Sequence, residues 1–320
     1  MSEAVMMQSS EAPVEAVLRD ELAQGDVVIG TIGPVLGHLL ANHDHSLFSD
    51  EIVSRVRGMI SDLARQVLLV EAQAAGATDP RARAERDCAQ LTNRLLTDEK
   101  LVGHCHALSL EWQLTARLEK RSAIDPVLSP LLQALIASDD GPTAATAMAA
   151  LAAQSRFAQT QRRMELPLAE LPADLFHQVV AIWASGLVDS TGPDAAAATD
   201  ALREAYDESA SRLGLLSRLV TGMGAGARAA LSVGHAGVAL FLTALAAAAR
   251  HDRDLAVIST NDRQLARLAL SLRAAGLKPR EVEEQFLHLH PDVALPEGFD
   301  QLRADRAAAL LGGSARNSVA

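Results

Sequence analysis

Cysteine is nearly absent. Cys88 and Cys105 are the only two in 320 residues, too few for a disulfide framework and in keeping with a reducing compartment. Aromatic residues make up 3%, with Tyr206 the single tyrosine, and that scarcity argues against sheets, which favour aromatic and β-branched side chains. No long block of basic residues occurs either. With 40 acidic against 29 basic residues and a net charge of −11, the chain lacks the electrostatic footprint of a nucleic-acid binder, so no nucleic acid is expected as a partner. The densest basic stretch, Arg156, Arg162 and Arg163, reads as a solvated helix face. Met1 to Pro13 is polar and acidic, without the basic start and apolar run of an export signal. A cytoplasmic location is the expectation.

What is abundant is alanine and leucine, within a hydrophobic share of 49%. Both are strong helix formers, so the fold class expected is all-α. One segment tests that reading. From Ala229 to Ala249 no residue carries a full charge, a run of about 21 residues and long enough to cross a hydrocarbon core. The run is mostly alanine and includes Ser232, Gly234, His235, Gly237 and Thr243. It also has a counterpart with charges: Val102-Gly103-His104 to Leu118 aligns with it without a gap and contains Glu111 and Arg117. A central buried helix is therefore expected rather than a membrane span.

Further echoes suggest a duplicated multi-helix unit, a helical-repeat or bundle-like array. Leu47 to Ile52, Leu171 to Leu175 and Leu277 to Val282 each read as a helix start, with Ser49 as a cap, Pro172 and Pro279 near the first turn, and acidic residues following. Gly33 to Asp44 echoes Ser129 to Asp140. Breaks at Gly76 to Pro80, Asp139 to Pro142, Ser190 to Pro193 and Ala275 to Pro279 separate helices by glycine and proline. The organisation expected is a mobile lead-in over 1–24, a first unit over 25–125, a second over 126–254, a partial third over 255–311 and a disordered tail over 312–320. Leu255 to Ile258 could be extended, and Gly222 to Gly226 reads as a flexible link, since no strand precedes it and no Gly-Lys-Ser/Thr follows.

Gln154-Ser155-Arg156-Phe157, Gln161 to Leu168 and Leu171-Pro172 together resemble a stretch of about 20 residues in uncharacterised, all-helical, repeat-containing proteins of alphaproteobacteria. The resemblance implies the helical fold and no assigned activity.

The histidines are the remaining chemistry. His38, His43 and His45 fall within eight residues, and His104-Cys105-His106 forms a second cluster. Imidazole and thiolate suit transition metals, which makes His43, His45, His104 and His106 the candidate ligands. Against this, His104 and His106 point about 200° apart on a helix. No Gly-x-Ser-x-Gly elbow or His-Glu-x-x-His helix occurs, so no catalytic residue is assigned, no cofactor is expected, and the balance leans away from an enzyme. The function expected is a non-enzymatic interaction, scaffold or regulatory role, through a protein partner or self-association. The alternatives are a metal-binding helical protein using His38, His43, His45, His104, Cys105 and His106, and a small-ligand sensor with a pocket near Trp112, Trp183 and Phe241.

Overall fold

The computed structural model of the chain describes residues 13–41, 50–187 and 192–317. Among them every regular element is a helix and no strand occurs, as the composition predicts. Helix starts fall where the local chemistry puts them. Asp79 accepts from the Ala82 amide (3.0 Å) to open α3 (Pro80–Leu95), Asp98 from that of Leu101 (2.8 Å) to open α4 (Glu99–Ser122), and Ser129 from that of Leu132 (3.2 Å) to open α5 (Pro130–Ile136). Asp140 does the same for Thr143 (3.0 Å) at α6 (Gly141–Arg163). Each bond satisfies an amide that the helix itself leaves without a partner. Two of the three anticipated helix-start boxes open α7 (Ala173–Ala184) and α13 (Pro279–Leu289). The third precedes α2 (Asp50–Ala74), and its cap, Ser49, lies outside the described residues, as do the tails 1–12 and 318–320.

Two apolar cores lie side by side. One gathers α2, α3, α7, α8 (Pro193–Glu204) and the first half of α4, with Met59, Leu63, Leu95, Leu101, Phe176 and Trp183 almost wholly enclosed. The other gathers the start of α1 (Pro13–Ala41) and the second half of α4 with α5, α6 and α13, and with the helices α9 (Arg212–Gly222), α10 (Val233–Ala249), α11 (Arg253–Ser259), α12 (Leu265–Ala274) and α14 (Ala304–Asn317). Leu110 of α4 packs against both. Each core draws on residues from both sides of the 125/126 division.

Helix α10 is the centre of the larger core, and Phe241, Leu242 and Leu245 have no exposed surface. The uncharged run is not one rod. A 3₁₀ segment over Gly224–Leu231 meets α10 at 115°, and no single helix among the described residues is long and apolar enough to cross a membrane. Within α10, Gly237 takes φ +69°, breaking the helix, and a Cβ there would lie 2.9 Å from Cβ of Ser129. Backbone conformation and space thus both require glycine. The aligned position in α4 is His106, in unbroken helix. His104 is buried, whereas its aligned partner His235 is exposed.

Two local expectations are corrected. Leu255 to Ile258 belongs to α11 and is helical, since a four-residue apolar run carries no period of its own. Gly222 to Gly226 is not a link but the end of α9 and the start of the 3₁₀ segment, which Arg228 ties to the Gly276 carbonyl at 2.9 Å.

In the stretch from Gln154 to Pro172, α6 ends and the chain docks on α2. Met164, in the left-handed region at φ 59°, closes α6. Gly58 lets it approach, since a Cβ there would be 2.8 Å from the Met164 carbonyl oxygen. The Gln66 amide then acts as a backbone partner, donating to the Leu166 carbonyl and accepting from the Leu168 amide, both at 2.9 Å. Arg55, buried beside it, donates to the Gln161 carbonyl.

Candidate functional site

Glu111 stands in an apolar stretch of α4 and has no exposed surface. A carboxylate there needs cations, because an unpaired buried charge is very costly. Two arginines supply them. Arg212, the first residue of α9, donates through Nη1 and Nη2 to the two carboxylate oxygens at 2.8 and 2.9 Å. Arg253, the first residue of α11, does the same from the other side at 2.9 and 2.8 Å. The arginines are held in turn: Arg212 reaches Gln154 Oε1 at 3.1 Å and lies 3.7 Å from the centre of the Phe157 ring, and Arg253 Nε donates to Thr243 Oγ1 at 3.0 Å. Burial alone would push the Glu111 carboxyl up, but the two guanidinium groups outweigh it and hold the group well below the usual carboxylate range. With both oxygens engaged and no surface of its own, the Glu111 carboxylate of this Arg-Glu-Arg triad joins three helices and offers no open oxygen to a substrate.

The His104-Cys105-His106 cluster lies one to two turns before Glu111 on α4. His104 Nδ1 is 2.8 Å from Asp254 Oδ2 of α11. The carboxylate can only accept, so Nδ1 is the donor in this contact. The His104 Nε2 atom and the His106 Nδ1 atom are buried without a hydrogen-bond partner. Burial pushes the Cys105 thiol far up, and the charge of Asp254 adds to this, so the sulfur stays a protonated thiol and not a nucleophile. Burial also pushes His106 down to about 4, against a smaller upward pull from Asp254. The geometry of this cluster anchors α11 on α4. Of the candidate metal ligands, His104 and His106 are thus core residues, while His43 and His45 lie outside the described residues. No group of three or more histidine, cysteine or acidic side chains placed to hold a metal ion occurs among the described residues.

The aromatic residues named for a ligand pocket do not share one. Phe241 belongs to the larger core, and Trp112 packs edge-on against Phe157. Trp183 does line a cleft, of about 360 Å³, between α2, α3, α7 and α8. Its Nε1 donates to Glu71 Oε2 at 2.7 Å.

Sequence reasoning marked Glu111 and the histidines but missed Arg212, Arg253, Asp254 and Gln154. The available signal was the lone carboxylate in an apolar helix, which demands a cation without saying from where. No family model, curated protein or solved structure matches this chain, so the class is defined by the fold: an all-α protein of two cores built around a shared helix.

Proposed function

We propose that the protein is a non-enzymatic scaffold or regulatory protein of the cytoplasm, acting by docking a protein partner or a second copy of itself on its outer helix faces. The observation that carries this reading is the set of large apolar side chains held outward on regular helices. Val27 of α1 is 70% exposed, Leu287 of α13 66% and Met148 of α6 52%. Rigid apolar anchors of this kind are what interfaces bury at their centres. The central polar groups meanwhile act between helices: the triad and the His104–Asp254 pair fix the framework on which those anchors stand.

Photo-crosslinking tests this reading. A photoreactive residue replaces Val27, Met148 or Leu287 in turn, with exposed Ala196 as the control, and adducts formed in cells are identified by mass spectrometry. The expected result is a discrete adduct, to one partner or to the same chain, at one or more of the three positions and not at Ala196. The same weak, dispersed labelling at all four positions would overturn the reading.

A further inference from the structure

Helix α6 turns one face to solvent, and the charges along that face follow an order. Ala145, Met148, Ala149, Ala152 and Arg156 are all exposed, and their spacing of three and four residues puts them on a single stripe. Between Asp125 and Arg156 the sequence carries no charge except Asp139 and Asp140, which lie exposed in the turn before α6. The stripe therefore runs from an acidic end through a neutral, apolar middle to a basic end. Alanines alone would not mark a contact, since alanine is at home on any exposed helix. Met148 differs: a large, adaptable apolar side chain stands out from the middle of the stripe, 52% exposed. At the basic end the Arg156 side chain is 57% exposed and reaches Glu170 only at 3.8 Å, a carboxylate that also takes the Arg212 amide at 2.7 Å.

We propose that this face of α6 docks on the same face of a second copy of the chain, the two helices running antiparallel about a twofold axis that passes between Met148 and Ala149. The inference rests on the docking reading above and names the occupant of one of its faces. Two observations select a second copy. The net charge of −11 makes copies repel one another over most of their surface, and an uncharged stripe is where they can approach. The order of the charges is also self-complementary in the antiparallel sense. Counting outward from the axis, Arg156 of one copy falls opposite Gly141 of the other, within one turn of its Asp139 and Asp140, and the symmetry makes every such pair twice. A parallel arrangement would set like ends together. Ala145, Ala149 and Ala152 let the helix axes close to about 8 Å, and each Met148 then lies over the second copy's Ala149. A contact built on one pair of helices is small, so the association is weak.

Sedimentation equilibrium of the full-length protein at low salt reads the association directly. A monomer–dimer equilibrium with a dissociation constant of about 10–100 µM is expected. Met148→Glu sets two carboxylates together at the axis and should weaken the dimer at least about tenfold, with an unchanged urea midpoint because the side chain is exposed. Should that midpoint fall, Ala149→Glu, also exposed and at the axis, carries the same test. Arg156→Glu turns both charge pairs into repulsions and is expected to weaken the dimer about tenfold. Adding Asp139→Arg to Arg156→Glu lets opposite signs meet again and should recover most of the affinity. A parent chain still monomeric at about 500 µM, well above the expected constant, would overturn the proposal. So would a dimer that the folded glutamate variants at the axis leave intact, or a loss at Arg156→Glu that Asp139→Arg does not reverse. Failure here is separate from failure of the docking reading: with a monomeric chain, a discrete adduct at Val27 or Leu287 keeps that reading, and dispersed labelling at every position removes it as well.

Discussion

Replacing Glu111 by glutamine is expected to destabilise the protein by about 3–5 kcal/mol, because it leaves two buried guanidinium groups without their counter-charge. The side chain keeps its size, so packing is nearly conserved and the loss reports the charge. Arg212 and Arg253 are 3% and 13% exposed and cannot turn to water without opening α9 or α11. Removing all three charges together should be much milder. In the triple variant Glu111→Leu, Arg212→Met, Arg253→Met no ion is left buried, and recovery of most of the lost stability is expected. Urea unfolding of the parent, the single and the triple variant measures both steps. A Glu111→Gln protein within about 1 kcal/mol of the parent would mean that solvent reaches the triad and screens it. The pH dependence has the same origin. The Glu111 carboxyl lies below its unfolded value of 4.5 in the folded protein, so its contribution is complete above that pH and is lost as pH falls further.

A second loss of stability should set in at milder acidity and depend on His106. Burial lowers this imidazole from 6.5 to about 4. The unfolded chain therefore binds a proton between those values that the folded protein refuses, and stability falls as pH drops through the window. From pH 7 to pH 5 the loss from His106 is about 2 kcal/mol. His251 and His290, also lowered chiefly by burial, act in the same direction. Urea midpoints measured across this range for the parent and for His106→Gln should converge as pH falls, the variant losing the smaller amount. Parallel curves would remove His106 as the source.

The parts of the fold that were legible in the sequence are those decided within a few residues. Asp79 before Pro80, Asp140 before Gly141-Pro142, and Pro279 with Glu281 behind it each satisfy or complement a helix end locally, and their meaning does not depend on the rest of the chain. The all-helical class followed from composition for the same reason. The Gly237 break did not announce itself, because a glycine in an alanine-rich helix is ordinary until Ser129 is known to press against it. The candidate site was half legible. A carboxylate at Glu111 in an apolar face implies a cation, yet its partners lie 101 and 142 residues further along, and only packing brings them in. Trp183 was singled out with Trp112 and Phe241, but residue type does not reveal that Phe241 enters the other core.

The sharing of α4 by both cores bears on how the chain comes apart. Melting either core would strip one side of α4 and expose apolar surface that the other core still needs covered, so neither half has a folded state of its own to retain. Although the chain is long enough for two domains, heat capacity scanning is expected to show one cooperative transition with equal calorimetric and van't Hoff enthalpies, and two resolved transitions would show that the cores are independent. A backbone cut between residues 125 and 126 would then divide both cores at once and leave two fragments that fold only in each other's presence.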